Sequence, residues 1–132
     1  VEGRMKTGLV VFAHGSRIES ANESVRITAA ALAREGSYEL VEAAFLELGT
    51  PDLAKAIGIL VKQGANRIAV IPYFLTPGLH VDEDLPRIVD GISRIYNGVK
   101  IYVTAPLDGH PALVRVLLDR AREAVESFRG GE

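Results

Sequence analysis

The run TGLVVFA at residues 7–13 decides the fold, because it is almost wholly apolar and leaves neither face of a strand polar. A strand that is apolar on both faces is typical of a parallel sheet covered by helices on both sides. A similar apolar run spans Arg67–Phe74, and Glu39–Leu46 and Val99–Ala105 give two more candidate strands. The sequence therefore predicts four strands of one parallel sheet.

A helical pattern follows each strand. Ser20 to Glu23 is typical of a capping box that opens a helix, and Gly36 suits a left-handed stop. Thr50-Pro51 predicts the next helix start, with threonine as N-cap and proline at the first helical position. Apolar residues then recur with helical spacing in the second and third helices.

The last helix is predicted to begin at Pro111. Its apolar residues fall on one face: Leu113, Leu117, Ala121, Ala124 and Phe128. Four βα units with right-handed crossovers predict a flavodoxin-like, doubly wound α/β fold, with strand order 2-1-3-4 and helices on both faces of the sheet.

Length and composition predict one domain over residues 5–129 of the 132-residue chain. The only methionine is Met5, so residues 1–4 are expected to be a remnant outside the fold. A net charge of −2 disfavours nucleic acid as a partner. No run reaches the roughly 20 apolar residues of a membrane span. The absence of cysteine and of a signal-peptide pattern favours a cytoplasmic protein.

Ligands of open α/β sheets bind beyond the carboxyl ends of the strands. His14, Glu47 and His80 are equally spaced and each follows a predicted strand, so we expect all three at this edge. His14 is either a metal ligand or general base, or a ring held by loop backbone for structural reasons. His80 is either a metal ligand or part of the cap of the helix that follows. Pro77 and Gly78 constrain the turn before His80, which we expect just ahead of a helix start.

Other residues at this edge also have two interpretations. Glu47 is either a partly desolvated carboxyl suited to proton transfer or a solvated loop residue. Ser16, Arg17 and nearby backbone N–H groups form a possible anion site, although Arg17 suits a plain surface position equally well. His110 is interpreted as part of a turn and helix start. Asp82, Glu83 and Asp84 are interpreted as partners of a helix dipole.

Three blocks of sequence together resemble a known family. They are HGSR at residues 14–17, FLEL at residues 45–48 and FLTPGLHVDEDLP at residues 74–86. Their order and spacing are similar to those of the short sirohydrochlorin chelatases, which are class II chelatases related to the anaerobic cobalt chelatases and the siroheme ferrochelatases. The third block is the most specific of the three.

The resemblance implies a cytoplasmic lyase that inserts Co²⁺, Fe²⁺ or Ni²⁺ into a sirohydrochlorin-type tetrapyrrole and works as a homodimer without a permanently bound cofactor. It implies that His14 and His80 handle the metal and that Glu47 assists. Arg17 and Ser16 are predicted to hold the carboxylates of the macrocycle. The predicted apolar floor under the ring consists of Phe74, Leu75 and Leu79.

Two other functions remain open at this point. A non-catalytic carrier of metal or tetrapyrrole could use the same fold and the same residues. A phosphate-handling hydrolase could use His14 and Arg17, but it would leave the segment Thr76–His80 unexplained.

Overall fold

The computed structural model describes residues 5–131, and at His80 it describes the backbone alone. Residues 1–4, the predicted remnant, lie outside the described residues. Strands and helices alternate along the chain as β1 Thr7–Ala13, α1 Glu19–Gly36, β2 Leu40–Phe45, α2 Leu53–Lys62, β3 Arg67–Pro72, α3 Leu79–Ile95, β4 Lys100–Val103 and α4 Ala112–Gly130.

The four strands form one parallel sheet in the order β2-β1-β3-β4, as predicted. Strand β1 is central and pairs with β2 on one side and β3 on the other, so that Phe12 lies opposite both Ala44 and Pro72. The buried run of β1 is therefore the axis of the sheet, and the residues that leave its carboxyl end lie between the exits of β2 and β3.

Each face of the sheet has its own hydrophobic core. On one face, fully buried Val10, Phe12 and Val70 pack with α2 and α3. On the other face, Val11 and Phe45 pack under α1. The alternation of side chains along β1 thus supplies both cores, as the two-sided apolar run predicted.

Helices lie on both faces of the sheet, as predicted, but the last helix contributes no buried residue to this cover. No residue of α4 is buried, and on its apolar face Leu117 is 68% and Phe128 is 72% exposed. The helix forms where the sequence placed it, but within one chain it does not pack on the sheet. Strand β4 has a matching exposed side chain, Tyr102.

The predicted boundaries of α1 are wrong at both ends. The helix begins at Glu19 and has Ile18 as an N-cap without a side-chain hydrogen bond, so Ser20 lies inside the helix and opens no capping box. The left-handed residue at the other end is Ser37, with φ 58°, whereas Gly36 is still helical. The predicted cap of α2 is wrong by two residues, because Asp52, not Thr50, accepts the hydrogen bond from the backbone N–H of Lys55 at 2.9 Å.

None of the helices in the described part of the chain is long and apolar enough to cross a membrane.

Burial raises the pKa of the Glu42 carboxyl, which lies in edge strand β2. A group with a raised pKa in the folded state favours folding while it is protonated, and this contribution is lost as the pH rises through the folded pKa. We therefore expect Glu42→Gln to unfold at a higher temperature than wild type at neutral pH. The two melting curves should converge below pH 4.5, the ordinary pKa of glutamate.

Circular dichroism melts across this pH range check the expectation, with Glu35→Gln on the exposed surface of α1 as control. A gain for Glu42→Gln that is the same at acidic and neutral pH would contradict it.

Candidate functional site

The edge beyond β1 is held together by backbone hydrogen bonds that continue after the strands end. The N–H of Leu46 donates to the Ala13 carbonyl at 2.9 Å, and that of Glu47 donates to the His14 carbonyl at 3.1 Å. On the β3 side of β1, the Tyr73 N–H donates to the Phe12 carbonyl at 2.7 Å. His14 and Glu47 are therefore brought together by their own main chains, as their spacing predicted.

Gly15 makes this close approach possible. Its φ is +97°, and a Cβ at this position would lie 1.6 Å from the Glu47 carbonyl oxygen. Only a residue without a side chain allows the two loops to approach so closely. Gly15 thus sets the distance between the first loop, residues 14–18 after β1, and the second loop, residues 46–52 after β2.

Asn22 is the positioning residue that the sequence analysis missed. It is 2% exposed, and its side chain joins α1 to both loops. Its Oδ1 accepts from the Ser16 N–H at 2.9 Å, and its Nδ2 donates to the carbonyls of Ser16 at 2.8 Å and Leu48 at 2.9 Å. One buried amide thus fixes the loop after His14 relative to the loop that carries Glu47. The helical position after Ser20-Ala21 gave no sign of these partners.

Arg26, one turn further along α1, supports the same loop. Its guanidinium donates to the Thr50 carbonyl at 3.2 Å, pairs with Glu19 at 2.6 Å, and lies 5.3 Å from the centre of the Phe45 ring. The hydrogen bond from Arg26 lowers the pKa of Glu19. Two side chains of α1 therefore hold the second loop at Leu48 and Thr50.

The predicted polar site residues differ in how open they are. His14, Glu47 and Arg17 are exposed and Ser16 is half-buried, so of the two interpretations of Glu47 the structure favours the solvated loop residue. The N–H of Ser16 is already bonded to Asn22, and the Ser16 hydroxyl accepts the N–H of Ile18 at 3.0 Å, so these two N–H groups are not open to an anion, whereas Arg17 is exposed.

His80 lies in the first turn of α3, which begins at Leu79 with Gly78 as N-cap, whereas the sequence placed it ahead of the helix. Its side chain is outside the described part of the structure. Since β3 pairs with β1, the segment that leads from β3 into α3 starts beside the exit of β1. Among the described side chains, which exclude that of His80, no three His, Asp or Glu groups come together as a metal cluster.

The three residues of the predicted apolar floor do not form one continuous surface. Phe74 is half-buried and lines a groove of about 500 Å³ between α3 and the ends of β3 and β4, with Pro72, Val81 and Leu85. Leu75 and Leu79 are 58% and 76% exposed at the same edge and do not line that groove.

His110 lies outside this constellation, in agreement with its structural interpretation. Its Nδ1 accepts the N–H of Ala112 at 3.0 Å and so satisfies a donor at the start of α4. In α3, Asp82 lies in the first turn and Asp84 pairs with Arg87, which agrees with the expected helix-dipole and surface roles.

Sheet order, two-sided core and a histidine at the carboxyl edge of β1 define an α/β domain with its site at the strand ends. The family model described as CbiX matches residues 8–124. The chain therefore belongs to the CbiX family, which confirms the resemblance found in the three sequence blocks.

Several relatives place this family among tetrapyrrole chelatases. The chain is 32% identical over 123 residues to the chloroplastic sirohydrochlorin ferrochelatase of Arabidopsis thaliana, covering 93% of this chain and 55% of that protein. It is 32% identical over 118 residues to the sirohydrochlorin cobaltochelatase of Sulfolobus acidocaldarius, covering 89% and 92%. This chain thus spans about half of the plant relative and most of the archaeal one.

A solved structure of similar fold is the sirohydrochlorin chelatase SirB of Bacillus subtilis subspecies spizizenii in complex with cobalt. Its TM-score is 0.83 at 27% identity, and the match covers 90% of this chain and 51% of SirB. The chain therefore corresponds to one half of SirB.

We expect Asn22→Ala to destabilise the protein by about 2–4 kcal/mol, because it leaves buried backbone groups of two loops without partners. Urea unfolding measures this loss. The control is Ser20→Ala, two residues away and exposed on the same helix. Equal stability of the two variants would contradict the role of the amide.

We expect Gly15→Ala to force the first and second loops apart and to cost about 1–3 kcal/mol from the left-handed backbone alone. Gly109→Ala is the matched control, since Gly109 also has a positive φ, +82°, but a Cβ there meets nothing within 4 Å. Thermal melts compare the two. If Gly15→Ala melted like wild type, the close approach of Gly15 to Glu47 would not exist in solution.

Proposed function

We propose that this chain is a chelatase that inserts a divalent metal, Co²⁺ first and Fe²⁺ next, into sirohydrochlorin. The observation that carries the proposal is the backbone hydrogen bond between His14 and Glu47 at the edge where β1 lies beside β3, because it joins the first two chelatase-like blocks next to the start of the third. Membership of the CbiX family and the names of the relatives support it.

The metal is a substrate, so its site must bind and release it. Two imidazoles, from His14 and His80, fill only part of a coordination shell and leave positions for water and then for pyrrole nitrogens. A closed set of four protein ligands would hold the ion as a structural element. His14 is exposed, as a ligand that hands its ion to a large planar substrate must be.

Insertion of each ion releases two pyrrole protons from the macrocycle. Glu47 is exposed beside His14, where its carboxylate can accept one of them within hydrogen-bond reach of a bound ring. Once the ion has passed from an imidazole to the pyrrole nitrogens, the ring nitrogen that it leaves can accept the other proton.

The macrocycle carries acetate and propionate groups that need cationic partners. The Arg17 guanidinium is exposed and the Ser16 hydroxyl lies beside it, so we assign carboxylate binding to this pair. Leu75, Leu79 and Phe74 supply apolar surface at the same edge for the ring itself.

We further propose a cytoplasmic homodimer. This chain corresponds to half of SirB, and a second copy would supply the other half of a shared cleft. A chain without cysteine is suited to a reducing compartment.

The decisive experiment follows the absorbance of sirohydrochlorin under multiple turnover with Co²⁺, Fe²⁺ or Ni²⁺. We expect wild type to insert Co²⁺ fastest and His14→Ala or His80→Ala to lose about 100-fold or more in rate. Glu47→Gln should lose less, because a histidine can still accept a proton.

His110→Ala is the matched control, since it removes the chain's third histidine from outside the site and should keep wild-type turnover. Tight stoichiometric binding of Co²⁺ or sirohydrochlorin without turnover by wild type would identify a carrier instead. Wild-type rates in a folded His14→Ala variant would contradict the metal-handling role of that residue.

A further inference from the structure

Helix α4 has an apolar face that no part of the chain within residues 5–131 buries. At 100° per residue, its apolar residues other than Ala112 and Val116 fall within a continuous arc of about 140° that contains no charge. They are Leu113, Val114, Leu117, Leu118, Ala121, Ala124, Val125 and Phe128. The charged residues of the helix occupy the rest of its circumference. Such a face is too wide for a narrow coiled-coil seam and fits a helix that covers a broad apolar surface.

The sheet has an uncovered surface on the α1 side, which we call the open strip and define as Ala69, Ile71 and Tyr102. In β3 and β4, Ile68, Val70, Ile101 and Val103 pack toward α2 and α3, so the alternate residues point to the opposite face. On that face α1 packs over β1 and β2. Tyr102 is accordingly 69% exposed, and Ala69 and Ile71 are half-buried.

We propose that α4 of a second copy of this chain packs on the open strip, and that the two copies exchange their last helices reciprocally. The inference rests on the proposed homodimer but not on the chelatase reaction. Helix α4 has an apolar face of the kind that would cover β3 and β4, and the open strip on those strands lacks such a cover. Within one chain the two surfaces do not meet. Reciprocal exchange satisfies both surfaces and closes with two-fold symmetry.

The area is sufficient for a stable dimer. Five large side chains of the arc, from Val114 to Phe128, are 47–72% exposed. At roughly 100 Å² each they amount to about 500 Å² per helix, which is comparable to the largest apolar patch on a typical monomer, and such patches often mark an interaction site. Two helices bury about 1,000 Å² before the opposing strips are counted, which reaches the size of a specific interface.

The segment that would pass from one copy to the other lies at the edge of the sheet that carries the candidate site. The segment that leads into α4 is hydrogen-bonded to the third loop, residues 73–78 after β3. The N–H of Leu107 donates to the Phe74 carbonyl at 3.1 Å, and that of Asp108 donates to the Leu75 carbonyl at 2.9 Å. Helix exchange would therefore bring the second copy against the edge that carries His14.

The test compares two neighbouring residues of α4. Leu117 lies in the apolar arc, whereas Val116 is 51% exposed among the charged residues. By sedimentation or light scattering we expect a wild-type dimer. Leu117→Asp should weaken it on the order of 100-fold, because an unpaired charge is buried, whereas Val116→Asp should remain dimeric. Tyr102→Lys in the open strip should dissociate the dimer as well, with Tyr38→Lys, another exposed tyrosine, as control.

Mixing the two dissociated variants identifies the mode of pairing. A heterodimer of Leu117→Asp with Tyr102→Lys retains one wild-type interface and sets a carboxylate against an ammonium in the other, so native mass spectrometry should detect it in excess over either homodimer. An intact Tyr102→Lys dimer, as a dimer made by α4–α4 pairing would give, overturns the proposal. A wild-type monomer overturns both this proposal and the homodimer, and the insertion assay still reports separately on the chelatase reaction.

Discussion

The arrangement of the site edge depends on the buried side-chain amide of Asn22. Its oxygen and nitrogen satisfy backbone groups of Ser16 and Leu48, which belong to loops after different strands. Because buried polar groups are costly when unpaired, the two loops and the helix can pack together only in the arrangement that satisfies all of them. The exposed residues His14 and Glu47 make no described side-chain hydrogen bond that would position them, so their placement follows from this buried network and from the close approach at Gly15.

The parallel sheet supplies the other half of that arrangement. In a parallel sheet all carboxyl ends meet at one edge, and β1 is flanked there by β2 and β3. The hydrogen bonds that continue past β1, to Leu46 and Glu47 on one side and to Tyr73 on the other, keep the three exits in register. The buried apolar strand β1 thus determines where the exposed polar residues of the candidate site lie, although none of its own side chains belongs to that site.

Most of the fold followed from periodicity, and what was missed at the site depends on tertiary contacts. The bounds of β1 and the strand order were correct because they depend on a local apolar pattern and on right-handed crossovers. The predicted caps at Ser20 and Thr50 each lie two residues from the observed caps, Ile18 and Asp52. The role of Asn22 was missed because its backbone partners are brought near only by the folded loops. At the site, the meeting of His14 and Glu47 was predicted from their spacing, whereas the sequence left open whether Glu47 is desolvated or exposed. Local sequence specifies the elements, whereas side-chain partners across loops require the tertiary structure.

The exposed face of α4 shows the same limit of prediction from local sequence, here for a whole helix. Its pattern predicted a helix with an apolar side, which is correct, but periodicity does not say whether the apolar partner belongs to the same chain. In this chain the partner surface at Tyr102 and the helix remain apart, while the segment between them is fastened to Phe74 and Leu75 at the site edge. An association that covers the helix must therefore occur next to the site. Because the segment before α4 is hydrogen-bonded at the edge that carries His14 and Glu47, the proposed exchange of helices would place a second copy beside the residues assigned to the proposed chelatase site.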